Sequence, residues 1–348
     1  MYVLKDVLIV GFIPAYSRQG VDLNDSLNRY GIHSTLVQFG VCNDSKRRMM
    51  NAPYLRPRVG PLSKWIVLIN EWALFVRAIS IKHAIVVGVG SPSIYVCALI
   101  KILRRSKFIY YALEFAEDKS TIFLLRHFCN GIINVEETRQ NMLDQLIGSK
   151  KRSLILYNMP RKTDVNSIVP QMRNHLIRHN GISTNTKLIV FAGSYQRYSR
   201  LESIVKWAEK LPENTKLVLM VFNLPESVSG AAGKNVIVLP EQPPESFYSW
   251  FVDADVALLP YEDEVDKNIC FCSPQKLFDC LAVGVPFIGS KRPLIEAIIK
   301  HTGVGITEDF RDEDDFLRGI KKILGMDQMR LKEKALKAHV KFNYDVHI

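Results

Sequence analysis

Residues 268–286, NICFCSPQKLFDCLAVGVP, bring together the groups needed to hold a phosphate and a hydroxyl-bearing ring on one helix. Ser273 reads as an N-cap and Pro274 as the first helical residue, a position where the missing N–H would have had no intrahelical partner. The unpaired amides and the positive end of the helix dipole then face outward, ready for an anion. Lys276 adds a full positive charge in that first turn, and Asp279, one turn on, can accept hydrogen bonds from hydroxyls such as those of ribose. A plain strand–helix–strand connection ending in Gly-Val-Pro accounts for the same residues without a ligand.

Such a helix needs a sheet to present it. Apolar runs at residues 5–11, 34–39, 84–89, 107–112, 131–135 and 153–156 alternate with helical patterns, which predicts a parallel sheet covered on both faces. A second series runs at 187–192, 216–222, 236–239, 256–259 and 287–288. Residues 157–186, richer in polar residues and holding Pro160, Pro170 and Gly181, separate the two series. At 348 residues the chain is long for one α/β domain and suits two. Parallel sheets bind ligands at the carboxyl ends of their strands. In the second half Gly193, Glu241, Tyr261 and the Ser273–Pro274–Lys276 segment all follow strands in this way.

The stretch SPQKLFDCLAVGVPFIG resembles the SPxKLxEYxAxGxPVI segment of GT-B glycosyltransferases, above all glycosyltransferase family 4 and its capsule and lipopolysaccharide relatives. DADVALLPY at 253–261 resembles the strand before that loop, and similarity extends from FAGSYQRYSRLESIV through TGVGITED, covering most of the C-terminal half. Asp279 stands where the family has Glu, which keeps the carboxylate but shortens its reach. Retaining members often carry a second Glu eight residues earlier, where this chain has Phe271, so retention or inversion stays open.

The resemblance implies two Rossmann-like domains facing each other across a cleft: an acceptor-side domain at 1–164, a linker at 165–186 and a donor domain at 187–326. It also implies a C-terminal helix at 327–348 crossing back to the first domain. It places the loop after Gly193 at the donor phosphates, with Arg197 or Arg200 as charge partner, although either arginine also fits a solvated helix start. Gln19 and Gly20 stand where the family has a Gly-Gly pair in a loop lining the cleft. Glu114, after the strand at 108–112, stands where relatives carry a cleft-facing His, Asp or Glu. As a carboxylate it could take the acceptor's proton, or serve as a salt bridge or helix cap; Glu117 and Asp118 compete for the role. The implied reaction moves a sugar from a nucleotide diphosphate, with UDP favoured, to a glycan or lipid-linked hydroxyl in cell-surface polysaccharide synthesis. A nucleotide-sugar epimerase or hydrolase, or a degenerate partner of another transferase, is the alternative.

Charge is lopsided. Residues 1–174 carry 24 Lys and Arg against 12 Asp and Glu, whereas residues 175–348 carry 22 against 23. The excess clusters at 46–48, 56–58, 104–107, 150–152 and 161–162 and suits an anionic membrane surface. A merely solvated basic face explains it too. Nucleic acid is not expected, because no basic helix is interleaved with a stacking aromatic platform. No metal or cofactor is expected either: the eight histidines are scattered, and the Asp-x-Asp at Asp253 and Asp255 opens a buried strand. The diphosphate would be neutralised by Lys276, an arginine and helix amides. Six cysteines without CxxC spacing read as reduced, and no secretory signal is read at the start, so a cytoplasmic place, peripheral on the inner membrane face, is expected. Residues 62–81 are broken by Lys64, Glu71 and Arg77 and read as an amphipathic helix.

Overall fold

A computed structural model describes residues 6–11, 17–39, 49–52, 63–91, 93–160, 168–230, 233–240, 242 and 247–342. The chain divides into two compact units, Met1–Tyr157 with Ile348, and Asn158–His347.

The first unit runs β1 (Val7–Gly11), α1 (Ser17–Arg29), β2 (Ser34–Phe39), β3 (Met49–Ala52), α2 (Ser63–Ile79), β4 (Ile85–Val89), α3 (Ser93–Arg104), β5 (Lys107–Ala112), α4 (Lys119–Phe128), β6 (Gly131–Asn134), α5 (Glu137–Ile147) and β7 (Arg152–Ile155). All seven strands are parallel, in the order β3-β2-β1-β4-β5-β6-β7. β1 sits in mid-sheet, so the strand order reverses between β1 and β4, the place where such sheets open a crevice. Leu8, Val86, Phe108 and Tyr110 of the sheet are buried against Ile94, Cys97 and Ile100 of α3. Gly88 lets that helix approach, because a Cβ there would lie 2.7 Å from Ser93 Oγ and 3.0 Å from Cys97 Sγ. β3 went unread in the sequence. Its MMNA lacks the β-branched alternation that marks a strand, and it forms only the sheet edge.

Four of this unit's cations meet helix carboxyl ends. Arg104 donates to the Ile79 carbonyl at the end of α2, Lys101 and Lys151 to carbonyls at the end of α4, and Arg126 to those of Leu146 and Ile147 on α5. Cations there satisfy carbonyls that lack an intrahelical partner and oppose the negative end of the dipole. Residues 46–48, 56–58 and 161–162 lie outside the described residues.

The second unit runs α6 (Met172–Asn180), β8 (Lys187–Ser194), a 3-10 turn (Arg197–Ser199), α7 (Leu201–Ala208), β9 (Thr215–Phe222), α8 (Glu226–Ser229), β10 (Val236–Val238), α9 (Phe247–Phe251), β11 (Val256–Leu259), α10 (Lys267–Cys270), α11 (Gln275–Val283), β12 (Phe287–Gly289), α12 (Pro293–Thr302), β13 (Ile306–Thr307), α13 (Glu313–Leu324) and α14 (Gln328–Lys341). Its six strands are parallel, in the order β10-β9-β8-β11-β12-β13. Phe191, Leu219, Leu258 and Ile288 pack with Leu201, Val205, Phe316 and Ile320 in its core.

Part of the stretch read as a linker is α6, held to this unit's sheet by the Asp-x-Asp pair. Asp253 Oδ2 accepts the Arg173 amide at 2.9 Å, and Asp255 takes the Arg173 guanidinium at 2.8 Å, Lys187 Nζ at 3.2 Å and the Leu188 amide at 2.9 Å. Both carboxylates lie at the amino end of β11, the end away from ligand-binding loops. α14 lies on α11: Gly284, in the left-handed cap of α11 at φ +76°, leaves no room for a Cβ, which would sit 2.9 Å from Lys332 Cγ. Residues 343–348 are outside the described residues.

Candidate functional site

The carboxyl edge of the second sheet brings Gly193, at the end of β8, against Lys276 in the first turn of α11. A Cβ built on Gly193 would fall 2.5 Å from Lys276 Cε and 2.9 Å from Nζ, and φ at Gly193 is +124°, a conformation open to glycine. The ammonium lies 4.2 Å from the ring centroid of Phe191, over its π-face. Burial lowers its pKa to about 8, against the opposing pull of Cys280 and Asp279. Lys276 as a whole is half-buried. An anion beside it would raise that pKa again.

The helix start differs from the sequence reading. Pro274 is the cap residue, with φ −67° and ψ 123°, and α11 begins at Gln275. Ser273, one position further upstream, makes no cap: its carbonyl accepts from Asn158 Nδ2 at 2.8 Å, while its buried Oγ has no hydrogen-bond partner among the described residues. The Phe271 position ends the short α10 and is half-buried.

Asp279 is 4% exposed and accepts a hydrogen bond of 2.8 Å from the Tyr248 hydroxyl on α9. Tyr248 carried no signal in the sequence, since FYSWF reads as an ordinary apolar turn of helix. Tyr261 is buried after β11, and its ring stacks on Tyr198 at 5.5 Å and 19°. Burial pushes both phenols above their ordinary pKa, Tyr261 the more. Because Tyr198 is the middle residue of the 3-10 turn, this stack fixes the turn that carries Arg197. Arg197 and Arg200 are exposed, and the Arg200 carbonyl accepts the Ser203 and Ile204 amides at 3.0 Å, so Arg200 opens α7.

Sequence reasoning also missed Glu262. Its side chain is 6% exposed; Oε1 accepts from Ser290 Oγ at 2.6 Å and the Phe310 amide at 3.1 Å, while Arg292 Nη2 and Arg311 Nε each lie 3.8 Å from Oε2. Ser290 Oγ in turn receives the Tyr261 amide at 2.8 Å, and Arg292 Nε donates to the Tyr261 carbonyl at 2.6 Å. One carboxylate thus joins the ends of β11 and β12 around Tyr261. The acidic trio 262–264 after a strand reads as a solvated loop, and only the fold turns its first member inward.

In the first unit, Glu114 is half-buried just beyond β5. Asp118 is the helix cap: Oδ1 accepts the Thr121 amide at 2.8 Å and Ser120 Oγ at 2.6 Å. Burial pushes its pKa up, but these hydrogen bonds outweigh it and hold the carboxyl below its usual value. Arg139, buried on α5, donates to the Leu113 carbonyl at 3.1 Å and so braces the turn that carries Glu114. Gln19 and Gly20 are not in a loop. They lie in the first turn of α1, where Gly20 is buried and a Cβ would touch Leu36 at 3.4 Å, so Gly20 serves helix-to-sheet packing. Glu241 lies outside the described residues.

The chain has the two-domain GT-B fold of glycosyltransferases. Its sequence matches no family model and none of the curated proteins. Among solved structures it is similar to a glycosyltransferase from Rickettsia africae (TM-score 0.77, 11% identity, 99% of this chain and 96% of that one). It is likewise similar to the Anabaena protein HepE in complex with UDP and glucose (TM-score 0.72, 12% identity, 98% and 96%). A sucrose-phosphate synthase from Thermosynechococcus elongatus gives a TM-score of 0.71 at 12% identity, again over 98% and 96%. At these identities the likeness establishes the fold alone.

Proposed function

We propose that this protein is a glycosyltransferase that moves a sugar from a nucleotide diphosphate, with UDP favoured, to a hydroxyl of a glycan or lipid-linked acceptor in cell-surface polysaccharide synthesis. The observation that carries the reading is the Lys276 ammonium held against Gly193 at the start of α11, with a buried Ser273 hydroxyl, unpartnered among the described residues, two residues before the helix and Asp279 one turn into it. HepE, which shares the fold, was solved with UDP. In this reading Lys276 and the α11 amides neutralise the leaving diphosphate, with Arg197 or Arg200 as a further cation and no metal ion. Ser273 and Pro274 shape the phosphate approach, Asp279 holds the ribose, Tyr261 forms the wall beside it, and Glu241 belongs to the donor-binding set. Glu114 takes the acceptor's proton. The first unit would serve the acceptor and the second the donor, with attachment to an anionic inner membrane face.

The test is calorimetric titration of UDP and UMP. Lys276→Ala should weaken UDP binding by about 1.5 to 3 kcal/mol, the range for hydrogen bonds to charged groups, and UMP binding by less. Asp279→Ala should weaken both. Unchanged UDP affinity in a folded Lys276→Ala protein would refute the assignment. Nucleotide release from a nucleotide-sugar panel, with EDTA and with or without lipid extract, tests the rest: equal release without any acceptor would mark a hydrolase or epimerase instead.

A further inference from the structure

Lys276 is a cation without a counter-charge. Its ammonium makes no ion pair and no hydrogen bond among the described residues, and its neighbours are the ring of Phe191 and the backbone at Gly193. Other lysines of the chain are engaged: Lys101 donates to Asn130 Oδ1 at 3.0 Å, and Lys187 lies 3.2 Å from Asp255 Oδ1. The first amides of α11, those of Gln275 and Lys276, lack intrahelical acceptors and find none among the described residues. Ser273, 6% exposed, makes no hydrogen bond through its Oγ among those residues either. A nucleophilic nitrogen, two unused N–H donors and an unused hydroxyl thus lie within four consecutive residues.

Such a set can do more than hold a phosphate. Phosphoryl oxygens seated on the amides and the hydroxyl would bring whatever the phosphate carries beside the Lys276 nitrogen. Where the phosphate carries an acyl group, that nitrogen has an electrophile within reach. Burial lowers the Lys276 pKa to about 8, so about half of it is free amine at pH 8, against about one part in three hundred for an ordinary lysine. A bound phosphate draws some of this back to ammonium, and the amine that remains reacts. An acyl thioester bears no phosphate at its reacting end and is not directed in this way.

We propose that Lys276 is a site of acylation by small acyl phosphates, directed by the phosphate cradle at the start of α11. This rests on the phosphate reading of that helix given above and adds a covalent use of it. In the step, neutral Nζ attacks the acyl carbon and an N–C bond forms. The C–O bond to phosphate breaks, and phosphate leaves with that electron pair and the proton that the nitrogen sheds. No further reactant enters. The product is an uncharged amide, so the cation is lost. It also adds bulk where space is short, since a Cβ on Gly193 would already lie 2.5 Å from Lys276 Cε. Acylation therefore weakens UDP binding and makes the donor site responsive to the supply of activated acyl groups.

The experiment incubates the full chain at pH 8 with acetyl phosphate or with the neutral ester p-nitrophenyl acetate, follows each lysine by peptide mass spectrometry, and titrates the products with UDP. Acetyl phosphate should label Lys276 about tenfold or more faster than the exposed lysines, the advantage expected of a held reagent. Saturating UDP or inorganic phosphate should remove that advantage, and UDP affinity should fall in step with Lys276 occupancy. The neutral ester should show a several-fold smaller preference. Ser273→Ala, with folding confirmed by a melting curve, should slow labelling by acetyl phosphate and leave labelling by the ester unchanged. In treated Lys276→Arg, UDP affinity should stay at that of the untreated variant, which excludes acylation elsewhere as the cause. Equal preference for Lys276 with both reagents would overturn the proposal in favour of a low pKa alone, as would labelling that neither phosphate nor UDP slows. Intact UDP binding with Lys276 unlabelled sinks the acylation site and spares the donor site. Phosphate-protected labelling in a protein that binds no UDP does the reverse.

Discussion

The Lys276 side chain occupies the space that any side chain at Gly193 would need, although 83 positions separate the two residues. The contact places a cation at the carboxyl edge of β8, against a backbone that only glycine adopts without strain.

Gly193→Ala should therefore act twice. The added Cβ meets Lys276 Cε at 2.5 Å and is forced to φ +124°, so a stability loss of about 1 to 3 kcal/mol is expected together with weaker UDP binding. Paired denaturation and titration would check both. Wild-type stability and affinity in the variant would show that neither the contact nor the conformation matters.

A second expectation concerns pH. Burial lowers the Lys276 pKa from 10.5 to about 8, so between those values the unfolded chain binds the proton that the folded chain has released, and this residue's contribution to stability rises with pH across that window. Diphosphate affinity should move the other way, falling as pH climbs past about 8 and the ammonium is lost. The comparison is with Lys276→Met, which should remove both slopes; identical pH profiles for the two proteins would count against the shift.

The Tyr248 hydroxyl supports Asp279 across 31 positions. Tyr248→Phe leaves a buried carboxylate short of a charge-assisted bond, an expected cost of about 1.5 to 3 kcal/mol. If Asp279 holds the ribose, UDP and UMP should weaken together. A variant as stable as wild type by chemical denaturation would show that the bond contributes nothing.

Glu262→Ala would strand Ser290 Oγ, the Phe310 amide and Arg292 Nη2 beside a buried void, while Arg311 keeps Asp309 and Glu264. Removing one partner of a buried ionic cluster typically costs about 3 to 5 kcal/mol. Loosening of Tyr261 and its stack on Tyr198 should accompany the loss, readable as a changed near-ultraviolet circular dichroism signal. An unaltered melting curve would rule out the hub.

How far the sequence reached follows from what each feature depends on. The strand series is local: apolar runs of the right length between turn residues gave eleven of the thirteen strands, and the two missed, Met49–Ala52 and Ile306–Thr307, are short edge strands without a period to read. The cation and carboxylate of α11 were legible for the same reason, since Lys276 and Asp279 lie within four residues on one helix. Its cap was misplaced by one residue, as helix ends are fixed by backbone geometry that residue type constrains only weakly. Tertiary structure decided the rest. Which strand lies beside β8 is set by crossovers, and only that order, β8 next to β11 and β11 next to β12, sets Gly193 against Lys276 and turns Glu262 inward to Ser290. Gly20 shows the same dependence in the first unit: the sequence offers a glycine, and packing against Leu36 makes it a helix contact. The sequence by itself therefore determined the repeating strand–helix units and the chemistry available on α11, because these follow from periodicity and neighbouring residues. The partners of those groups were decided by the fold, because burial is a property of what lies across space.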